Sequence, residues 1–292
     1  MRYVFEEIAT REVPAEPRPS ARYAADLRRE LSERNILWAR KNAFLHEVSL
    51  GAVPAVLYSE DEDGRHGNFH PAAYSRIKNN PDWCRRMRKV HTTARKVLLS
   101  RDTGRCELDS CNSSDALLMS IFCHPHSLLC GGQLRTLLNL ETEAGPAFGY
   151  RPRVPLKNDR ADSTEIDLRL GNLLIEAKLT EYGFQTAPWR LVERYRDFEE
   201  IFDVEDLPRL GASLLSYQLV RGVLAAHAAE GARYCVVCDA RRPDLIADWY
   251  RILQCIRYPG LRCRLMLITW QEIASACTAP LQRWLDEKYG IR

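Results

Sequence analysis

Apolar residues recur along this chain first at helical spacing and then, over one central stretch, with the two-residue alternation of strands. Residues 11–20 carry Pro14, Pro17 and Pro19 and read as an extended connector, and residues 21–33 then mix apolar and charged positions at helical spacing. A polar break over residues 59–68, with Gly64 and Gly67, precedes a long helix predicted from Pro81 to about residue 99. The first third is therefore expected to be mainly helical. Ser113, Ser114 and Asp115 are cap-type residues set just before Leu117, Leu118, Ile121 and Phe122, which marks a new helix start. His124-Pro125 breaks that run, and helical spacing resumes over residues 133–141 through Leu134, Leu137 and Leu138.

The period then changes. Residues 148–156, 164–170 and 173–179 alternate like strands, with Gly171-Asn172 between the last two. Helical spacing returns over residues 189–202 and 214–229, followed by a short apolar strand at 234–238, a helix at 245–256 and a strand at 263–268. Thr269-Trp270-Gln271-Glu272 forms a capping box, with Ile268 and Ile273 placed as a hydrophobic staple, so the closing helix has a marked start. From residue 113 the order is helix, three strands, helices, strand, helix, strand, helix. That order predicts an α/β fold with a mixed sheet. It divides the chain into a mainly helical region over residues 1–112 and an α/β domain over residues 113–292.

Composition adds exclusions. With 46% hydrophobic and 28% charged residues in 292, the chain matches ordinary globular proteins rather than disordered, collagenous or coiled-coil ones. Glu6 and Glu7 stand where a signal peptide needs apolar residues, and no run approaches the roughly 18 apolar residues of a membrane span. A cytoplasmic protein without a membrane partner is expected. The ten cysteines are irregularly spaced and several continue apolar runs, so free, mostly buried thiols are expected. Cys106, Cys111, Cys123 and His126 make a weak zinc set, and Cys235 and Cys238 would point to opposite faces of a strand. Net charge is only +3, but ten basic residues against two acids fall between Arg76 and Arg105. Arg85, Arg86, Arg88 and Lys89 are the densest part of this stretch and the candidates for phosphate contacts.

The segment from Thr164 to Lys178 carries the chemistry. If Gly171 and Asn172 are the two loop residues of a type II′ hairpin, Leu170 lies opposite Leu173, and counting outwards places Asp167 opposite Glu176 and Glu165 opposite Lys178. Alternation then puts Ile166, Leu168, Leu170, Leu173, Ile175 and Ala177 on one face and Glu165, Asp167, Glu176 and Lys178 on the other. Two directly opposed carboxylates repel unless a cation sits between them. A divalent ion meets that need, and magnesium fits best, with manganese favouring similar oxygen ligands. A solvent-facing hairpin with a Glu165 to Lys178 ion pair would explain two of the four charged residues but not the opposed acids.

Asp167, eight intervening residues and then Glu176-Ala177-Lys178 resemble the D…ExK signature of the PD-(D/E)XK, or restriction-endonuclease-like, nucleases. The resemblance covers residues 113–292, and Ile166 stands where the motif often has proline. It implies an α/β/α sandwich and a magnesium- or manganese-dependent nuclease hydrolysing DNA. It further implies that Asp167 and Glu176 bind the metal and that Lys178 orients the attacking water or stabilises charge on the transition state. Many family members add an acid from the helix before the first strand, for which Gln133 and Glu141 are the candidates here. Gln218 resembles a glutamine that some branches place on the following helix. RNA stays open as a substrate, as does a homodimer. The rival reading is a nucleic-acid-binding protein that keeps the nuclease fold without turnover.

Overall fold

The computed structural model describes residues 19–50, 54–89, 105–141 and 143–292. The predicted connector at 11–20 falls almost wholly outside these, as does the second half of the helix expected over 81–99.

Helix α1 (Pro19–Lys41) is longer than its apolar pattern predicts. It packs on the last helix of the chain: Asn35 on α1 donates to Lys288 O at 3.2 Å and accepts from the buried Lys288 ammonium. Two short antiparallel strands follow, β1 (His46–Val48) and β2 (Val56–Tyr58). Helices α2 (Pro71–Lys78) and α3 (Pro81–Met87) each start with proline at the first turn behind a side-chain cap, from His70 and from Asn80 respectively. Helix α4 (Ser114–Phe122) is capped by Ser113, which accepts from Ala116 N, and every one of its residues is buried. The short α5 (Gln133–Leu137) follows.

The central sheet has five strands: β3 (Ala147–Tyr150), β4 (Ile166–Leu170), β5 (Leu173–Ala177), β6 (Arg233–Cys238) and β7 (Leu265–Thr269). Their order is β7-β6-β5-β4-β3. The β3–β4 and β4–β5 pairs are antiparallel and the β5–β6 and β6–β7 pairs parallel, so the sheet is mixed as its pattern predicts. The parallel pairs require crossovers, supplied by α6 (Tyr217–Ala228) and α7 (Pro243–Gln254). The capping box at Thr269 and Glu272 opens α8 (Trp270–Ser275), and α9 (Ala279–Tyr289) closes the fold. Residues 189–202 are not one helix: Tyr195 bridges to Leu156 and Arg196 N donates to Pro155 O, so tertiary pairing breaks the run into two single turns, Trp189–Val192 and Phe198–Ile201.

The sheet strands contribute to two apolar clusters. Leu168, Leu170, Leu173, Ile175, Ala177, Cys235 and Val237 join residues of α4, α8 and α9. Leu174, Tyr234, Val236 and Cys238 join residues of α6 and α7. Cys235 and Cys238 thus part to opposite clusters, as their odd separation requires, and all ten cysteines are free. Among the described residues no helix is long and apolar enough to cross a membrane.

Candidate active site

Gly171 adopts φ +57 at the first loop position and Leu170 pairs with Leu173, which fixes the predicted register through Leu168 and Ile175. One pair further out the strands part. Asp167 Oδ2 accepts the Ala177 N–H at 2.8 Å, so this side chain, rather than a main-chain carbonyl, satisfies that donor. Beyond this point β5 keeps to β6, with Lys178 N donating to Val237 O at 2.8 Å. Three expectations change as a result, the first being that Asp167 and Glu176, expected directly opposite each other, lie beyond the paired register. Ile166 joins the cluster of Leu174 rather than that of Leu168, and no Glu165 to Lys178 pair forms. On the other side of β4, Gly149 of β3 takes φ +65, and a Cβ there would stand 2.7 Å from the Arg86 guanidinium and 3.2 Å from Glu165.

Buried Glu176 and Lys178 and half-buried Gln218 form a chain. Lys178 Nζ lies 2.6 Å from Glu176 Oε1, and Gln218 Nε2 donates to the same oxygen at 2.8 Å from the first turn of α6. Burial alone would lower the Lys178 pKa, but Glu176, Asp167 and Glu181 outweigh it, so the ammonium is held above its ordinary value and stays charged. The main chain around Lys178 is fixed as well: Trp270 Nε1 donates to Lys178 O at 2.9 Å, and the fully buried Arg242 donates to Leu179 O and Glu181 O.

The acid that completes the cluster comes from α4. Asp115, 3% exposed, contributes with Glu176 and with burial to raising the Asp167 carboxyl well above the usual carboxylate range. The sequence presents Asp115 as a helix-cap residue; the signal that could have singled it out is an acid in the first turn of a helix with no exposed face. Gln133 and Glu141 do not take this place. Both are exposed, and the end of α5 is tied through Arg233 to the turn end of the hairpin, where Arg233 pairs with Leu173 and donates to Leu138 O and Asn139 O.

The four basic candidates do not share one face. Arg85 is exposed and paired with Asp82, and Arg88 is exposed. Arg86 and Lys89 turn inwards. Arg86 Nη2 reaches both oxygens of Asp115 at 3.0 and 2.8 Å, Nη1 contacts Glu165, and Asp167 Oδ1 lies 4.0 Å away. Lys89 Nζ lies 2.9 Å from Asp115 and 3.3 Å from Glu107. Arg95, Lys96 and Arg101 lie outside the described residues. A cleft of about 1050 Å³ opens beside this cluster, lined by Lys178, Gln218, Ser114, Glu181, Tyr182 and Arg28 among others.

The donor set fits a hard divalent cation held by a pair of carboxylates. Burial first, then Glu176 and Asp115, raise the Asp167 carboxyl, so its charged form lacks compensating positive charge that a cation would supply. Magnesium is commonly held by one or two carboxylates and keeps waters in its remaining positions. No ready cage of three or more His, Cys, Asp or Glu side chains exists among the described residues, and Asp115 and Glu165 are turned to Arg86 and Lys89.

The antiparallel hairpin of a mixed sheet thus carries Asp167, Glu176 and Lys178 at one end. A family model described as Restriction Endonuclease associating with ARP matches residues 39–290, and the chain belongs to that family. No curated protein and no solved structure gives a match.

Proposed function

We propose that this chain is a magnesium- or manganese-dependent nuclease that hydrolyses DNA phosphodiester bonds at Asp167, Glu176 and Lys178, on an α/β/α form of the fold. The observation that carries this reading is the junction at the end of the hairpin, where a part-buried aspartate with a raised carboxyl faces a glutamate already bound to a charged lysine. Asp167 and Glu176 would hold the ion. When bound, it would polarise the scissile phosphoryl oxygen and acidify a water.

The chain's own groups do the rest. Lys178, held 2.6 Å from Glu176, would supply positive charge near the developing negative charge of the transition state. Gln218 and Lys178 both occupy Glu176 Oε1, which sets the orientation of that carboxylate and directs its other oxygen away from them. Trp270 and Arg242 fix the main chain that carries Lys178, so the ammonium is preorganised.

Incubating supercoiled, linear, branched and single-stranded DNA with the full chain in magnesium, manganese or chelator tests the proposal. Cleavage that needs the metal and disappears in Asp167→Ala is the expected outcome. Metal-independent cleavage, or cleavage that survives in Asp167→Ala, would reject it.

A further inference from the structure

We propose that Arg86 is a resident cation of the acid cluster that competes with a divalent metal for it, so that full metal uptake requires the guanidinium to let go. This rests on the reading of Asp167 and Glu176 as the metal-holding pair.

The Arg86 side chain is 7% exposed and comes from α3, remote in sequence from the hairpin, yet it meets acids from α4 and from the residue just before β4. Its Nη2 lies within 3.0 Å of both Asp115 oxygens and 4.0 Å from Asp167 Oδ1. Lys89 takes Asp115 Oδ2 as well, so an ion that used Asp115 would have to displace one of the two. The Arg86 Nε is buried with no hydrogen-bond partner, so the guanidinium sits where the carboxylates draw it, at the cost of one unsatisfied donor. Gly149 supplies the space it fills.

A purely structural ion pair would hold α3 to the sheet and nothing more. Removing Arg86 would then lower stability and leave metal affinity unchanged or reduced. Under the proposal, removing it leaves buried carboxylates with less positive charge around them, which favours any cation that enters. The two roles therefore predict opposite signs for metal affinity.

The test is manganese binding to the full chain without DNA, by calorimetry and by the rise in melting temperature. Arg86→Gln is expected to bind manganese roughly ten-fold more tightly than wild type, which is about 1.4 kcal/mol, and to gain more in melting temperature at saturation. Lys89→Gln, which withdraws one cation from Asp115 and leaves Arg86 in place, should shift affinity the same way by less and keeps the test usable if Arg86→Gln fails to fold. Unchanged or weaker binding in the folded variants would overturn the exchange. Asp167→Ala separates the two layers: binding that survives there sinks the metal-pair reading and the exchange with it, whereas binding lost there and unaltered by Arg86→Gln or Lys89→Gln sinks the exchange alone.

Discussion

Asp167 Oδ2 and Ala177 N, ten residues apart and on neighbouring strands, share a hydrogen bond of 2.8 Å where the hairpin ladder gives way. The same carboxylate is raised well above the ordinary carboxylate range by burial, by Glu176 and by Asp115. An acid whose folded-state pKa is raised binds its proton more tightly when folded. The stability it adds is present at low pH and is lost as pH climbs from the unfolded carboxylate value through the folded one. In chelator, Asp167→Asn should therefore be more stable than wild type at neutral pH, with the difference shrinking as pH falls toward 4. Chemical denaturation at several pH values measures it. A variant less stable than wild type at pH 7 would contradict the assignment of the strained charge to Asp167.

Lys178→Met should abolish cleavage while leaving the fold intact, because Glu176 keeps Gln218 as a donor but the site loses its fixed positive charge. Circular dichroism and a cleavage assay on the same preparation check this. Full activity in Lys178→Met would remove the lysine from the mechanism.

Gln218→Leu should lower single-turnover cleavage by roughly 10- to 100-fold, the range seen when a group that orients a metal ligand is lost. The effect should fall on the metal dependence, because Gln218 acts through Glu176 and would leave the DNA contacts as they are. A metal titration of the cleavage rate, with DNA affinity measured in parallel, separates the two. An unaltered metal midpoint together with weakened DNA binding would place Gln218 on the substrate instead.

The register of the hairpin was legible in the sequence because a tight turn fixes it by counting. Once Gly171 and Asn172 are read as the loop, Leu170 to Leu173 follows, and so does the pairing out to Leu168 and Ile175. What lay beyond reach were contacts made by residues far apart in the chain. Arg86 and Lys89 read as part of a basic run, and only the packing of α3 against β3 and α4 turns them into the acid cluster. Asp115 was hidden by its own plausibility as a first-turn helix residue. The split of residues 189–202 had the same origin, since the bridge from Tyr195 to Leu156 has no local signature.

The last prediction concerns Asp115 and Arg86, whose side chains are 3% and 7% exposed. Asp115 receives both Arg86 and Lys89, so Asp115→Ala leaves two cations with one carboxylate fewer in a buried setting. Breaking a buried pair from one side costs about 3 to 5 kcal/mol, because the remaining charge stays desolvated. Here Glu165 still meets Arg86 and Glu107 still meets Lys89, so the lower end of that range is expected. Asp115→Asn keeps an oxygen acceptor for one of the two cations and should lose less. If Asp115 served only to anchor α3, pairing Asp115→Ala with Arg86→Met in a double-mutant cycle would recover most of the lost stability and leave metal binding as in Arg86→Met alone. If Asp115 also reaches the ion, the double variant should recover stability but bind manganese more weakly than Arg86→Met. Urea denaturation and manganese calorimetry on the three variants decide between the two roles, and equal manganese affinity in Arg86→Met and the double variant would confine Asp115 to anchoring.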